Sequence, residues 1–256
     1  MKPFRVALAG LALAGFWSGQ TLAETSGKPV TVVELFTSQS CYFCPLAEAF
    51  LGELSDENDI VALEYHVDYW NRIVYGRHGR WADEFSTPEM TQRQRAYNVA
   101  LRDTSSVYTP QMVIDGREEA VGSRRGEVQN LIRKVRKDAQ ARVPVRVSSE
   151  TGDGINVSLP AMADSKADVW LVTFIRENTT QVARGENHGK TLTGHNIVRR
   201  VQHIGEWRGD AATFDLSASD LALEPGQSCA ILVQTDRPGP VLGASYCPDS
   251  VDPASS

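Results

Sequence analysis

Two cysteines stand three apart in FTSQSCYFCPLAEAFLGEL, residues 36–54, and the second, Cys44, is followed by Pro45 and a run with helical spacing. Three kinds of chemistry use such a pair: reversible thiol–disulfide exchange, a metal clip, or a plain structural bridge. A bridge that closes so short a loop removes little chain entropy. A zinc or copper clip needs further ligands, and none of the five histidines has ligand-like spacing to the pair. At the head of a helix the unpaired N–H groups and the positive end of the dipole favour a thiolate. The expectation is therefore that both sulfurs sit on the first turn, with Cys41 exposed as the nucleophile and Cys44 buried as the resolving thiol.

The elements around the pair follow from hydrophobic period. VTVVELFT (30–37) is a β-branched run of strand length, LAEAFLGEL after it has helical spacing, and IVALEYHVDYW (60–70) reads as a second buried strand. This is a β-α-β unit, normally with parallel strands. STPEMTQRQRAYNVALR reads as a second helix capped by Ser86 or Thr87, with Pro88 in its first turn. PQMVIDGREEAVG (110–122) reads as two short strands joined at Asp115-Gly116, and SRRGEVQNLIRKVRKDAQ as a third helix. The order is β-α-β-α-β-β-α.

Beyond residue 142 the pattern becomes strands only, seven in all, which predicts a β-sandwich-like second domain. The expected division is 1–23 signal peptide, 28–142 an α/β domain, 143–250 an all-β sandwich-like domain, and 251–256 a polar tail. In that second region, strands 229–235 and 241–247 are joined by DRPGP, and a symmetrical hairpin places Cys229 opposite Cys247 at disulfide distance. A structural bridge is expected there. A bulge near the loop would shift the register and move one cysteine to the other face.

With 41% hydrophobic and 23% charged residues the chain is that of a folded protein. Lys2, Arg5, the apolar stretch VALAGLALAGFW and the small residues before Ala23 read as a secretory signal, too short for a membrane anchor. A periplasmic or secreted protein is expected, in a compartment where disulfides persist. The formal charge of −6 becomes more negative once Lys2 and Arg5 leave, which disfavours nucleic acid and anionic membranes as partners. The basic cluster RKVRK (133–137) reads as the solvated face of a helix.

The element order, the CxxC at the first helix and YTPQMVIDG together resemble the thioredoxin fold. The resemblance implies a cis peptide at Thr109-Pro110 beside the cysteines, with the Thr109 backbone pairing with an incoming peptide. More closely, VELFTSQSCYFCP, HVDYW, RQRAYNVAL, YTPQMVIDG and RGENHGKTLTGHNIVRR resemble a family of exported bacterial proteins of unknown function, thioredoxin-like at the N-terminus. Small residues are common in that family where this chain has Ser40, Tyr42 and Phe43, so the aromatic pair between the cysteines is a departure. Residues at those two positions help to set redox potential and would meet substrate. Many thioredoxin-like enzymes keep an acid near the place of Glu34 to exchange a proton with the resolving cysteine. Glu34, inside the first strand, reads either as that relay or as a carboxylate satisfied by local N–H groups.

His66 and Asp68 alternate onto one face at the carboxyl end of the second strand, next to Trp70, where ligands often sit in parallel sheets. Loop-anchoring hydrogen bonds are the alternative role. GENHGKTLTGHN (185–196), with His188 and His195, reads as a polar loop that either folds over the cysteines or forms a simple turn. The functional expectation is an exported thiol–disulfide oxidoreductase acting on protein thiols, with no cofactor and no metal. The rival is a non-catalytic binding module with an inert Cys41–Cys44 bridge.

Overall fold

The switch from strand to helix period near residue 37 marks the start of the site. In the computed structural model, which describes residues 30–137, 142–150, 154–235 and 238–252, strand β1 (Thr31–Thr37) leads through a turn into helix α1 (Pro45–Ser55). Strand β2 (Ile60–His66) then pairs parallel to β1. The expected signal peptide lies outside the described residues, as do residues 253–256 of the tail. Helix α2 (Pro88–Arg102) starts where Thr87 accepts a hydrogen bond from the Met90 N–H at 3.4 Å, with Pro88 at its first position.

Strands β3 (Gln111–Ile114) and β4 (Glu118–Val121) form a hairpin whose turn residues Asp115 and Gly116 have φ of 50° and 61°. Those left-handed angles are what the Asp-Gly dipeptide supplies. Helix α3 (Arg125–Lys137) completes the expected order.

Side chains alternate across β1 and sort the cores. Val33 and Leu35 face α1 and α3, meeting Ala47, Phe50, Leu51, Val128 and Ile132. Val32 and Phe36 face α2, meeting Met90 and Tyr97. Burying a side chain such as Leu51 contributes roughly 1.5–3 kcal/mol, which fixes α1, and the cysteines at its head, against the sheet.

The seven strands expected after residue 142 are all present: β5 (Arg146–Ser149), β6 (Ile155–Leu159), β7 (Ala167–Gln181), β8 (Thr191–Trp207), β9 (Ala212–Leu216), β10 (Gln227–Gln234) and β11 (Val241–Tyr246). A short helix, α4 (Ala218–Leu221), follows β9. Their arrangement corrects the expectation of a self-contained all-β sandwich. Four of them extend the first sheet, giving one eight-stranded mixed sheet in the order β11-β10-β7-β8-β2-β1-β3-β4.

The join is a parallel bridge between Glu64 of β2 and Ile197 of β8, which covers an edge that β2 would otherwise expose. Strands β5, β6 and β9 form a small antiparallel sheet, and its Val147, Ile155 and Val157 pack on Val169, Leu171 and Ile231 of the large one. Sandwich-like packing therefore exists, with one layer shared. On the other face Val172, Phe174 and Leu232 close the same core as Val32, Phe36 and Tyr97.

Candidate redox site

Cys41 and Cys44 form a disulfide with their Cα atoms 5.4 Å apart, at the junction of the β1 turn and α1. The local geometry refines the expected placement. Cys44 is the N-cap of α1, in helical conformation, and Pro45 takes the first position, where no N–H is needed. Cys41 lies one turn ahead, its carbonyl accepting the Cys44 N–H at 3.2 Å.

The expected exposure of Cys41 is corrected: it is 1% exposed and Cys44 is 0% exposed. The residues at the surface are the two between them, Tyr42 at 53% and Phe43 at 68%, their rings packed edge to face with centroids 5.4 Å apart.

A distant loop lies against this turn. Residues 182–190 join β7 to β8, so the expected polar loop is the later part of that connection together with the start of β8. Asn187 is fully buried, and its amide donates to the carbonyls of Gln39 and Cys41, both at 2.9 Å. Glu186 accepts the Tyr42 N–H at 2.8 Å. Lys190 donates to the Asn187 side-chain oxygen at 2.9 Å and sits 4.2 Å from the Tyr42 ring centroid.

Gly185, at φ 80°, lets the loop pass Trp81, whose Cβ would lie 2.9 Å from any added Cβ. The His188 ring lies against that of His78 with centroids 4.8 Å apart. Of the two readings of the loop, folding against the cysteines is the one observed.

Beneath the disulfide, on the α1 face of the sheet, lies a buried ionisable cluster. Glu48 falls one helical turn after Cys44, and its N–H donates to the Cys44 carbonyl at 3.0 Å. Its side chain accepts from the Thr37 hydroxyl at 2.7 Å. Burial, and then the nearby Glu64 carboxylate, push the Glu48 acid up to about 8.

Next to it His66 is held between Glu64 Oε1 and Asp83 Oδ2, each at 2.7 Å from a ring nitrogen. Burial alone would lower the His66 value, but Asp83 and Glu64 outweigh it and raise it well above the usual histidine range. Burial would raise Asp83, but His66 and the N–H groups of Gln39 and Phe85 hold it below the usual carboxylate range. The cluster reaches the cysteine turn because Asp83 accepts the Gln39 N–H at 2.8 Å.

Glu34 lies elsewhere. Strand alternation turns it to the α2 face, where it pairs with Arg93 Nε at 2.7 Å and accepts a short hydrogen bond from the Tyr97 hydroxyl. Its partners are side chains rather than local N–H groups, and α1 lies across the sheet from it. Asp68 also leaves the face expected for it beside His66: β2 ends at His66, and Asp68 accepts from the Thr91 hydroxyl of α2 at 2.6 Å, an anchoring contact.

Trp70 donates to the Thr109 hydroxyl at 2.9 Å, and the Thr109-Pro110 bond is cis. His195 is on β8 against α1, where an added Cβ on Gly52 would lie 2.7 Å from its ring, and its N–H donates to Glu64 at 2.9 Å. Cys229 and Cys247 form the expected bridge, with an S–S distance of 2.00 Å. A bulge does occur, between Val233 and Gln234, but the register on the cysteine side keeps both sulfurs together.

Sequence reasoning missed Glu48 and Glu64. For Glu48 a signal was present, because Cys44, Ala47, Glu48 and Leu51 fall at i, i+3, i+4 and i+7, the spacing of a buried face. Among the described residues no three His, Cys, Asp or Glu side chains are grouped so as to hold a metal ion. Both ring nitrogens of His66 already face carboxylates. A groove of about 770 Å³ lies at the other end of α1, beside Ser55 and Asp56.

No curated protein matches the chain. Among solved structures, a crystal structure of an Agrobacterium tumefaciens protein from a structural genomics consortium superposes with a TM-score of 0.74. It is 35% identical over 86% of this chain and 95% of that one. A family model described as "Protein of unknown function (DUF1223)" matches residues 32–234, and the chain belongs to that family.

Proposed function

We propose that the protein is a thiol–disulfide oxidoreductase acting on thiols of exported proteins, in the periplasm or outside the cell. The observation that carries this reading is a Cys41–Cys44 disulfide at the head of a helix with a buried acid, Glu48, held protonated at neutral pH one turn below it.

A substrate thiolate attacks Sγ of Cys41, the Cys41–Cys44 bond breaks, and Cys44 leaves as a thiolate that takes the Glu48 proton. A second substrate thiol then attacks the substrate sulfur of the mixed disulfide, releasing oxidised substrate and Cys41 as a thiolate. Cys41 takes up the proton that the first substrate thiol lost to solvent, giving the dithiol form, and the Glu48 carboxylate recovers a proton from the second thiol through solvent. Running backwards, the same steps reduce a substrate disulfide. Tyr42 and Phe43 offer apolar surface to the chain flanking the substrate sulfur, and Thr109, positioned by Trp70, offers backbone groups to it.

The near-complete burial of Cys41 favours a second reading, a binding module in which this bridge is inert. Titration of the oxidised protein against glutathione, followed by alkylation and mass spectrometry, separates the two. Reduction of Cys41–Cys44 while Cys229–Cys247 stays closed is the expected result; two bridges that open together would overturn the oxidoreductase reading.

A further inference from the structure

We propose that the β7–β8 loop sets how readily Cys41 ionises, with Glu186 opposing the thiolate and Lys190 favouring it. This inference rests on the oxidoreductase reading and assigns a regulator to the same site.

The chemistry is local. A thiolate at Cys41 would draw on the N–H groups of the residues that follow it, as any anion at a helix entrance does. The first of those, on Tyr42, is already taken at 2.8 Å by a carboxylate from a residue 144 positions away. Glu186 therefore removes one donor and places a negative charge beside the position where a second would develop. Lys190, 4.2 Å from the Tyr42 ring, brings a positive charge to the same residue from the same loop.

The loop is held firmly enough for these charges to count. Asn187 is buried and bonds two carbonyls of the cysteine turn, the Gly185 N–H donates to the His78 carbonyl at 3.1 Å, and Gln39 reaches the Thr180 hydroxyl of β7 at 3.0 Å. Other titratable groups around this corner are Tyr75, whose phenol burial and then Glu186 push up to about 12, the adjacent His78 and His188, Asp83, which accepts the Gln39 N–H and holds His66, and Glu48 one turn after Cys44. Tyr75 stays neutral across the range in which a thiol titrates, which leaves Glu186 and Lys190 as the opposed pair on Tyr42.

A less stable thiolate makes the dithiol form less stable relative to the disulfide, so Glu186 holds the couple towards oxidised protein and Lys190 towards reduced. The test uses the full mature chain with Glu186→Gln, which keeps an acceptor for the Tyr42 N–H but removes the charge, and Lys190→Met. In chemically reduced protein, the midpoint of the pH profile for iodoacetamide alkylation of Cys41 is expected to fall by about half a unit in the first variant and rise in the second. At a fixed glutathione ratio, where two glutathione thiols and the disulfide exchange for the dithiol and oxidised glutathione, the dithiol fraction is expected to shift about threefold in opposite directions.

Profiles unchanged in both variants, shifts of the same sign in both, or a Cys41 that resists alkylation at every pH would overturn the proposal. A wild-type protein that never equilibrates with glutathione would instead remove the oxidoreductase reading, while the alkylation profiles still decide the role of the loop.

Discussion

The two disulfides of this chain are the same covalent bond in opposite settings. Cys229–Cys247 staples two strands of one hairpin inside an apolar core of Leu171, Ile231, Val233 and Trp207. Cys41–Cys44 joins a turn to a helix N-cap, with a raised acid, a charged histidine and two carboxylates beneath it and a charged loop against it. A bridge that only holds structure gains from having nothing nearby that can give or take a proton. One that is to open and close needs such groups, and needs them placed.

The largest separation of the two is expected from single-sulfur changes. Cys41→Ser should abolish exchange with model dithiols, by 100-fold or more, leaving the melting temperature within a few degrees of the parent. Replacing Cys229 and Cys247 together with alanine should do the reverse, leaving exchange intact at low temperature and lowering unfolding free energy by about 3 kcal/mol for a loop of 18 residues. Chemical denaturation and stopped-flow exchange on both variants measure this, and the contrast fails if either variant shows both losses.

Glu48→Gln sharpens the same contrast. It should slow exchange at neutral pH roughly tenfold, since an amide has no proton to give the departing Cys44 thiolate. The sign on stability is opposite. An acid whose folded value is about 8 against a model value of 4.5 costs the fold stability as pH rises from the lower to the higher figure. The variant should therefore match the parent below pH 4.5 and become progressively more stable up to pH 8, by at most about 3 kcal/mol at pH 7. Thermal melts across that range would show it, and a gain that does not vary with pH would refute the assignment.

A smaller effect is expected from the neighbouring triad. The raised His66 contributes stability that is complete below the ordinary histidine value and is lost progressively as pH rises from there through its higher folded one, whereas the lowered Asp83 contributes stability lost as pH falls below the ordinary aspartate value. Between the ordinary aspartate and the ordinary histidine values the melting temperature should be flat with respect to both groups.

Much of this was legible in the letters. Periodicity in VTVVELFT and LAEAFLGEL, the Asp115-Gly116 turn and the symmetrical spacing of Cys229 and Cys247 are local signals, and local physics decides them. The β2–β8 join was not legible, because it is a parallel pairing between residues 64 and 197 that no pattern within either strand encodes. Cys41 looked exposed because its cover comes from Asn187 and its neighbours, far along the chain. Glu34 drew attention as a carboxylate in an apolar strand, yet the partner that neutralises it, Arg93, sits among the polar letters of a surface-looking helix.

The core in which Val172, Phe174 and Leu232 meet Val32, Phe36 and Tyr97 bears on how the protein could be dissected. A fragment ending at residue 142 would present that apolar flank and the bare margin of β2 to water, inviting self-association before any redox assay could be read. The cysteine turn would also lose its loop. The pair at positions 41 and 44 is thus a poor candidate for transplantation as a cassette: whatever chemistry it performs belongs to the chain taken whole.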